Sequence, residues 1–281
     1  MHSEKIVLVT GGSRGIGQAI ALACAQKGMR LALCARTAQD LEETQALLER
    51  ATGTRPLIAS VDVSDGASIT DFVDRTEREA GPVHGLVCAA GILGVVGGFD
   101  EGSFDEWEQA IRVNLFGAAR CVHAVLPGMK QRHAGRVILF SGGGQGPLPR
   151  RTSYAASKGA IWRLTESLGA EVAPFGVYVN AIAPGAVNTR FLNDLIAAGP
   201  DRAGAAEYGE ALKQRDAGGT SASRAADLAL YLLSEKSTGL YGKVISAVWD
   251  KYREWRDLAA ISEIDQYTMK RIVLADGRTR E

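Results

Sequence analysis

Short apolar runs alternate with longer helical patterns along this chain, and this alternation constrains its fold more than any other feature. The runs are rich in Val, Leu, Ile and Ala without polar alternation, as is typical of strands buried on both faces. Strands separated by helices predict parallel β-α-β units rather than a sandwich or a helical bundle. The predicted strands are 5–10, 30–35, 56–61, 84–89, 136–140, 177–183 and 243–247. We therefore expect a three-layer, doubly wound α/β fold around a mostly parallel seven-stranded sheet.

Helical patterns fill the intervals between these strands. They cover 16–28, 37–50, 64–80, 104–132, 152–174 and 223–234. In the longest of them, Pro127 lacks a backbone N–H and is followed by Gly128, so we expect the helix to be interrupted there. No repeat or linker divides the 281 residues, which predicts a single domain.

Charge and cysteine usage narrow the class of function. The 32 Lys and Arg balance the 32 Asp and Glu, so no basic surface indicates nucleic acid as a partner. No apolar run approaches the ~20 residues that span a bilayer, and the first residues do not resemble a signal peptide. The four cysteines, at 24, 34, 88 and 121, are not closely spaced, which argues against a disulfide framework or a metal site. We expect a cytoplasmic protein that acts on small molecules.

A glycine-rich segment joins the first predicted strand to the first predicted helix. It reads Thr10-Gly11-Gly12-Ser13-Arg14-Gly15-Ile16-Gly17. Glycine lets a backbone turn sharply and approach a ligand, while a helix N-terminus offers N–H groups and a positive dipole to a pyrophosphate. An ordinary glycine turn is the alternative, but the position inside a β-α-β unit favours a dinucleotide site.

The end of the second strand bears on which dinucleotide binds. NAD sites usually place a carboxylate there for the ribose hydroxyl, whereas a basic residue accommodates the 2′-phosphate of NADP. This chain has Arg36 at that point and no acid before Asp40, and Arg14 lies in the glycine segment. Either arginine alone could be a solvated surface charge. Together they favour NADP(H) over NAD(H).

Tyr154 and Lys158 lie four residues apart at the start of a predicted helix, so their side chains share one face. A phenol has a pKa of roughly 10 and is a poor base at neutral pH. A neighbouring ammonium favours the phenolate and could bring it into the range of acid–base catalysis. A tyrosine and a lysine at this spacing also occur by chance, so the pair gains meaning from the rest of the chain.

Taken in order, these motifs make residues 4–247 resemble the short-chain dehydrogenase/reductase family in its roughly 250-residue form. The matching motifs are Thr10-Gly11-x3-Gly15-x-Gly17, Asp62-Val63, Cys88-Ala89-Ala90-Gly91, Asn114, Ser141, Tyr154-x3-Lys158, Asn180 and Pro184-Gly185. The resemblance implies a Rossmann fold, an NAD(P)-dependent oxidoreductase and assembly into a homodimer or homotetramer.

The resemblance also implies four catalytic residues. Tyr154 is then the general acid in carbonyl reduction and the base in alcohol oxidation, and Lys158 lowers its pKa and holds the nicotinamide ribose. Ser141 is expected to hydrogen-bond the substrate oxygen as charge develops there. Asn114 is expected to hold a water that connects Lys158 to solvent, or to bond backbone at a helix kink, or both.

The implied cofactor residues lie in the glycine segment and in the turns after the strands. They are Gly11, Ser13, Arg14, Gly15, Ile16, Gly17, Arg36, Asp62, Val63, Ala90, Gly91, Asn114, Tyr154, Lys158, Pro184, Gly185, Val187 and Thr189. The resemblance places Asp62 on the adenine amino group and Val63 on the ring. It places Gly91 beside the adenosine ribose, and the backbone of Val187 on the carboxamide. The alternative for Asp62 is that it caps its own turn.

Two departures from the family pattern matter, the first for detail of the fold and the second for the predicted site. Cys88-Ala89 stands where the family often has Asn-Asn, so a hydrogen bond that stabilises the sheet is lost. Ser141 lies thirteen residues before Tyr154, the common family separation, but it is followed by glycines rather than a second serine. Counting from the strand could instead place Gly142 at the catalytic serine.

The loops around Tyr154 and the C-terminus complete the predictions. Substrate is expected to meet the loops 92–99 and 142–151 and a lid at 190–220, with Arg150 and Arg151 either contacting it or merely solvated. Residues 1–247 are predicted to form the catalytic domain. In the extension 248–281, Trp249, Tyr252, Trp255 and Leu258 or Ala259 recur at helical spacing, so we expect it to pack on the domain or on a neighbouring subunit.

We therefore predict an NADP(H)-dependent carbonyl reductase that moves hydride between nicotinamide and a carbonyl or secondary alcohol. Two alternatives remain open on the sequence. One is a non-catalytic NADP(H)-binding sensor or scaffold, and the other is an epimerase or dehydratase acting on a sugar.

Overall fold

Seven strands form the central sheet of the computed structural model, which describes residues 5–142 and 146–269. In chain order they are β1 Ile6–Thr10, β2 Arg30–Ala35, β3 Leu57–Ser60, β4 Val83–Cys88, β5 Gly135–Phe140, β6 Val177–Ala183 and β7 Val244–Ser246. Their order across the sheet is β3-β2-β1-β4-β5-β6-β7, and all six pairings are parallel. The predicted doubly wound α/β fold is confirmed, with strand ends shifted by at most one residue.

Helices connect the strands and cover both faces of the sheet. They are α1 Gly15–Gln26, α2 Ala38–Thr52, α3 Gly66–Glu79, α4 Phe104–Ile111, α5 Ala118–Gln131, α6 Thr152–Val172, α7 Arg190–Ala197, α8 Gly199–Ala203, α9 Ala205–Asp216, α10 Ala222–Leu233 and α11 Leu258–Glu263. In the part of the chain that the structure describes, none of them is long and apolar enough to cross a bilayer.

Two hydrophobic cores hold these layers together, one on each face of the sheet. Val7 and Val9 of β1 pack with Ile20 of α1 in one core, whereas Leu8 packs with Val122 of α5 in the other. Successive side chains of a strand point to opposite faces, so an apolar strand without alternation supplies both cores. Each fully buried aliphatic side chain of this kind stabilises the fold by roughly 1.5–3 kcal/mol.

The predicted interruption at Pro127-Gly128 is wrong, because α5 continues through Pro127. The irregularity lies earlier, where Arg112–Gly117 form a π-helical turn between α4 and α5. A π turn inserts one extra residue per turn and is often found at functional sites. Here it contains Asn114, whose side chain bonds across to the loop after β4 and to α6.

The residues at helical spacing in the C-terminal extension do not lie on one continuous helix. Ser246 accepts the N–H groups of Val248 and Trp249, while the Asp250 carboxylate accepts the N–H of Ser246. Such side-chain bonds to backbone fix a turn in competition with a helix. Trp249 is left 84% exposed. A helix begins only at α11, where the Asp257 carboxylate accepts the N–H of Ala260.

Parts of the extension nevertheless contact the first core. Tyr252, in a 3₁₀ turn that spans Tyr252–Glu254, is buried and meets the Tyr231 ring of α10 at a centroid distance of 5.0 Å. Trp255 and Leu258 also pack against this core. Residues 270–281 lie outside the described residues.

Candidate active site

The glycine segment turns sharply between β1 and α1 and presses against the turn after β4. Gly11 has a φ of +66°, and a Cβ added there would lie 2.7 Å from the backbone nitrogen of Ala90. A Cβ on Gly17 would lie 2.3 Å from the Gly11 carbonyl oxygen. Only glycine fits such close approaches. The first turn of α1, which begins at Gly15, is thereby brought to the carboxyl ends of the strands.

A cavity of about 1020 Å³ opens at these strand ends. Ligand pockets commonly measure roughly 300–1,000 Å³, so this one has room for a dinucleotide and a small substrate. Of the predicted cofactor residues, the following line it: Gly11, Ser13, Arg14, Gly15, Ile16, Gly17, Arg36, Asp62, Val63, Ala90, Gly91, Tyr154, Lys158, Pro184, Gly185, Val187 and Thr189. Ser141 lines it too, whereas Asn114 is not among the described residues on its wall.

Two arginines mark the end of the cavity near the second strand. Arg14 and Arg36 both line it, and the Arg14 Nη1 atom lies 3.8 Å from the Asp40 Oδ2 atom. On the sequence, Asp40 is the first acid after Arg36. Asp40 lies in the first turn of α2 beside Arg14, so this end of the cavity carries an acid close to one of its two bases.

Asp62 lies on the cavity wall and also caps its own turn. Its Oδ1 atom accepts the Ser64 N–H at 2.8 Å and the Ser64 hydroxyl at 2.7 Å. The turn-capping alternative is therefore present in the structure. A contact with adenine stays a prediction, and both roles are chemically compatible because a carboxylate has two oxygens.

Tyr154 and Lys158 lie one turn apart on α6, as predicted. The Lys158 Nζ atom is 5.7 Å from the centre of the Tyr154 ring and donates a hydrogen bond of 2.8 Å to the Phe140 carbonyl. Burial lowers the pKa of Lys158 to about 8. Loss of hydration disfavours the charged form of a buried group, which explains the direction.

The pKa of Tyr154 moves opposite to the direction expected from its lysine. Burial raises it to about 12, and the charge that opposes this rise comes from Arg151. The physical reason is that Lys158 directs its ammonium at the Phe140 carbonyl, while the phenol has lost its water. In the protein alone, a phenol with this pKa is protonated at neutral pH.

Ser141 occupies the turn after β5, at the wall of the cavity. Its N–H donates to the Ile182 carbonyl at 3.1 Å, and its hydroxyl donates to the Gly142 carbonyl at 3.3 Å. A Cβ on Gly142 would lie 2.7 Å from Lys158 Cγ and 3.0 Å from Tyr154 Cε1. Residue 142 therefore has no room for a side chain, which favours Ser141 as the hydroxyl that serves the site. Residues 143–145 lie outside the described residues.

Asn114 acts as a bridge rather than as part of the cavity wall. Its carbonyl oxygen accepts the Ile92 N–H at 2.8 Å. Its amide donates to the Ile92 carbonyl at 2.9 Å and to the Ser157 hydroxyl at 3.1 Å. The kink alternative is thus what the structure contains. A water held for Lys158 stays a prediction.

The predicted lid consists of α7, α8 and α9, and it has a small hydrophobic core of its own over Tyr154. Phe191 of α7 meets the Tyr154 ring edge-to-face at 5.6 Å, and Leu192 and Leu195 pack with Leu93 from the loop after β4. Sequence reasoning missed these contacts. The apolar pairs in Phe191-Leu192 and Leu195-Ile196 recur at helical spacing and could have indicated a buried face.

Neither arginine of the pair at 150–151 is merely solvated. Arg150 donates to the carbonyl groups of Asp201 (2.8 Å) and Arg202 (3.2 Å), which ties the loop before α6 to α8. Arg151 lines the cavity and forms a 2.6 Å ion pair with Glu207 of α9. Both residues therefore connect the lid to the element that carries Tyr154.

Comparisons with known proteins agree with this geometry. The sequence model described as short chain dehydrogenase matches residues 5–198. The short-chain reductase protein NovJ of Streptomyces niveus is 38% identical over 200 residues, which cover 69% of this chain and 74% of that protein.

Two solved structures share the fold over most of their length. One is an NAD⁺-bound xylitol dehydrogenase, with a TM-score of 0.80 and 25% identity over 87% of this chain and 98% of that one. The other is an actinorhodin polyketide ketoreductase variant with NADPH, with a TM-score of 0.79 and 27% identity over 88% of this chain and 96% of that one. With a glycine segment, a Tyr–Lys pair and a serine on one cavity, the chain belongs to the short-chain dehydrogenase family of NAD(P)-dependent oxidoreductases.

Proposed function

We propose that this protein is an NADP(H)-dependent reductase of an apolar carbonyl substrate, able to run in reverse on a secondary alcohol, with Tyr154 as the general acid and base. One observation carries the proposal: Tyr154, Lys158 and Ser141 line the same cavity as the glycine segment. A hydride donor held by that segment and a proton donor on α6 would therefore face one substrate.

The walls of the cavity fit a dinucleotide. Backbone N–H groups at the start of α1 suit a pyrophosphate, and the glycines permit its close approach. Lys158 has a single protein hydrogen bond within the described residues, so its remaining donors suit ribose hydroxyl groups. When bound, the nicotinamide ring supplies or accepts the hydride.

The protein's own residues would manage the proton. A phenol with a pKa of about 12 is protonated at neutral pH, which suits donation to a carbonyl oxygen. The Ser141 hydroxyl, weakly bonded to Gly142 at 3.3 Å, can turn towards an oxygen that gains charge. The Lys158 Nζ atom lies 5.7 Å from the centre of the Tyr154 ring and bonds the carbonyl of Phe140, the residue before Ser141.

The preference for NADP(H) rests on Arg14 and Arg36 at the cavity wall. Two guanidinium groups suit a 2′-phosphate, which would compete with Asp40 for Arg14. One similar solved structure holds NAD⁺ and another holds NADPH, so the proposed preference is argued from the residues of this chain alone.

The cofactor preference is tested with Arg36→Asp, with Arg50→Asp on the exposed end of α2 as the control. We expect the first variant to reduce the ratio of NADPH to NADH affinity by about tenfold or more, since a charge that attracts phosphate becomes one that repels it. An unchanged ratio, measured by fluorescence titration, would contradict the role given to the second strand.

The substrate is proposed to have an apolar body next to its carbonyl. Leu93, Leu148, Phe191, Leu192 and Leu195 line the cavity on the Tyr154 side, where they would exclude water from the reaction. NovJ and the actinorhodin enzyme are a reductase and a ketoreductase by name, in line with a ketone as substrate. We expect a cytoplasmic homodimer or homotetramer, with the extension packed on its own domain.

Turnover of a panel of cyclic ketones, β-ketoacyl thioesters and polyols with each cofactor tests the function. Tyr154→Phe removes the proton donor and keeps the ring, so kcat/KM is expected to fall roughly 10²- to 10⁴-fold. Tyr178→Phe, on β6 beneath the Arg136 guanidinium, is the matched control. Turnover that Tyr154→Phe leaves intact would refute the proposal, and cofactor binding without turnover would favour the sensor alternative.

A further inference from the structure

Arg151 directly precedes α6, one turn before Tyr154, and its side chain lines the same cavity. The side chain is only 14% exposed. Its Nε atom is buried and has no hydrogen-bond partner among the described residues. A guanidinium that is largely removed from water keeps its charge, and that charge acts more strongly there than at a surface.

The partner of Arg151 belongs to the lid. Arg151 Nη2 lies 2.6 Å from Glu207 Oε1, and Glu207 sits in the first turn of α9 with its side chain 43% exposed. Both residues line the cavity. The lid therefore sets how much of the Arg151 charge is offset by a carboxylate.

Other charges on this side of the cavity are already balanced or directed elsewhere. The charged side chains that line it there are Arg151 and Lys158 beside Tyr154, Arg190 and Asp194 on α7, and Glu207 and Glu210 on α9. Arg190 pairs with Asp194 at 3.6 Å, and Glu210 pairs with Lys213 at 2.7 Å. Lys158 donates to the Phe140 carbonyl. Arg151 is thus the cation best placed to act on the phenol, and it counteracts the rise that burial causes in the pKa of Tyr154.

We propose that Arg151 is a positioning residue of the reaction that eases proton loss from Tyr154, and that Glu207 on the lid moderates this effect. The proposal rests on the proposed function in one respect, namely that Tyr154 exchanges a proton with the substrate. A purely mechanical latch is the competing explanation for the same ion pair. The neighbouring Arg150 provides such a latch, because it holds α8 through two backbone carbonyls.

The two explanations predict different signs for two substitutions. Arg151→Gln removes a positive charge and should raise the pKa of Tyr154. Glu207→Gln removes the opposing negative charge and should lower it. Both variants break the ion pair, so a mere latch would give effects in one direction. Arg150→Gln, which loosens the lid without changing a charge on the cavity wall, should leave the pKa of Tyr154 unchanged.

Fluorine NMR on protein grown with difluorotyrosine reads this ionisation without any substrate. The fluorine atoms lower the pKa of the phenol, so that it ionises at a pH where proteins stay folded. The chain has seven tyrosines, and the signal that is lost in Tyr154→Phe is the one from Tyr154. We expect shifts on the order of one pH unit, upward for Arg151→Gln and downward for Glu207→Gln. Arg151→Lys should retain most of the wild-type value, which shows that the charge is responsible.

Shifts of equal sign in Arg151→Gln and Glu207→Gln, or no shift in either, would overturn the proposal. This outcome is separate from failure of the proposed function, which is decided by whether Tyr154→Phe leaves turnover intact. Where turnover is found, the pH profile of kcat should move in the same two directions as the NMR titration.

Discussion

Two lysines are buried in the part of the chain that the structure describes, and their surroundings assign them different roles. Lys158 on α6 is 9% exposed, lines the cavity and donates to one carbonyl. Lys243, just before β7, is 1% exposed and donates to the carbonyls of Ile264 at 2.5 Å and Gln266 at 3.2 Å. Burial lowers the pKa of both, but for Lys243 the carboxylates of Glu166, Asp265 and Glu263 oppose the change.

The difference shows how a buried cation can be either a reagent or an anchor. Lys243 uses its donors on the C-terminal extension, and the neighbouring Val244 N–H donates to the Tyr267 carbonyl at 3.0 Å. Carboxylates offset part of this charge, and the cation fixes one segment of chain to the edge of the sheet. Lys158 is less fully satisfied by the protein, as suits a charge that is to meet a ligand.

The largest expected effect is a loss of catalysis on replacing Lys158, which distinguishes it from Lys243. Lys158→Met keeps the length of the side chain and removes its charge, so kcat/KM should fall at least 10²-fold. The melting temperature should hold or rise, because a buried charge with few partners costs stability. Steady-state kinetics measure kcat/KM and calorimetry measures the melting temperature on the same sample. A variant that stays active would make Lys158 an anchor like Lys243.

The second prediction concerns stability rather than turnover. Lys243→Met leaves two carbonyls without a donor, so the free energy of unfolding should fall by about 2–3 kcal/mol. Activity per folded molecule should be unchanged because Lys243 does not line the cavity. Lys236→Met, at an exposed position, is the control for urea unfolding. Loss of activity with intact stability would contradict the anchor role.

The sequence predicted Lys158 and not Lys243, for a physical reason. Tyr154 and Lys158 meet through helix geometry, which spacing alone determines. Likewise the strands, the glycine segment and the turns after β3, β4 and β6 follow from local patterns, and the parallel sheet brings them to one edge. Lys243 is buried by residues more than twenty positions away, and its own neighbours give no sign of this.

The wrong and missing predictions have the same origin, namely contacts with residues distant in the sequence. Pro127 indicated a break by its local chemistry, but packing kept α5 continuous and placed the π turn at Asn114, where bonds to Ile92 and Ser157 favour it. Arg151 carried no motif that would link it to Tyr154. Its partner Glu207 lies on the lid, and the positions of the lid helices could not be predicted from the sequence.

The smallest expected effect is on the pH dependence of the unfolding free energy, which tests whether Lys158 differs from Lys243. Lys158 has a folded-state pKa of about 8 against an unfolded value near 10.4, so between these values the unfolded chain binds more protons. The contribution of Lys158 to the free energy of unfolding must therefore rise with pH across that window and stay constant below it.

Other buried groups act in the opposite sense, because Cys24, Cys34 and Tyr154 have raised pKa values. Subtracting the profile of Lys158→Met largely removes their contribution. The difference in unfolding free energy should then grow by on the order of 1–3 kcal/mol from pH 8 to pH 10. A flat difference would mean that Lys158 stays charged in the folded protein across this range, as an anchor such as Lys243 would.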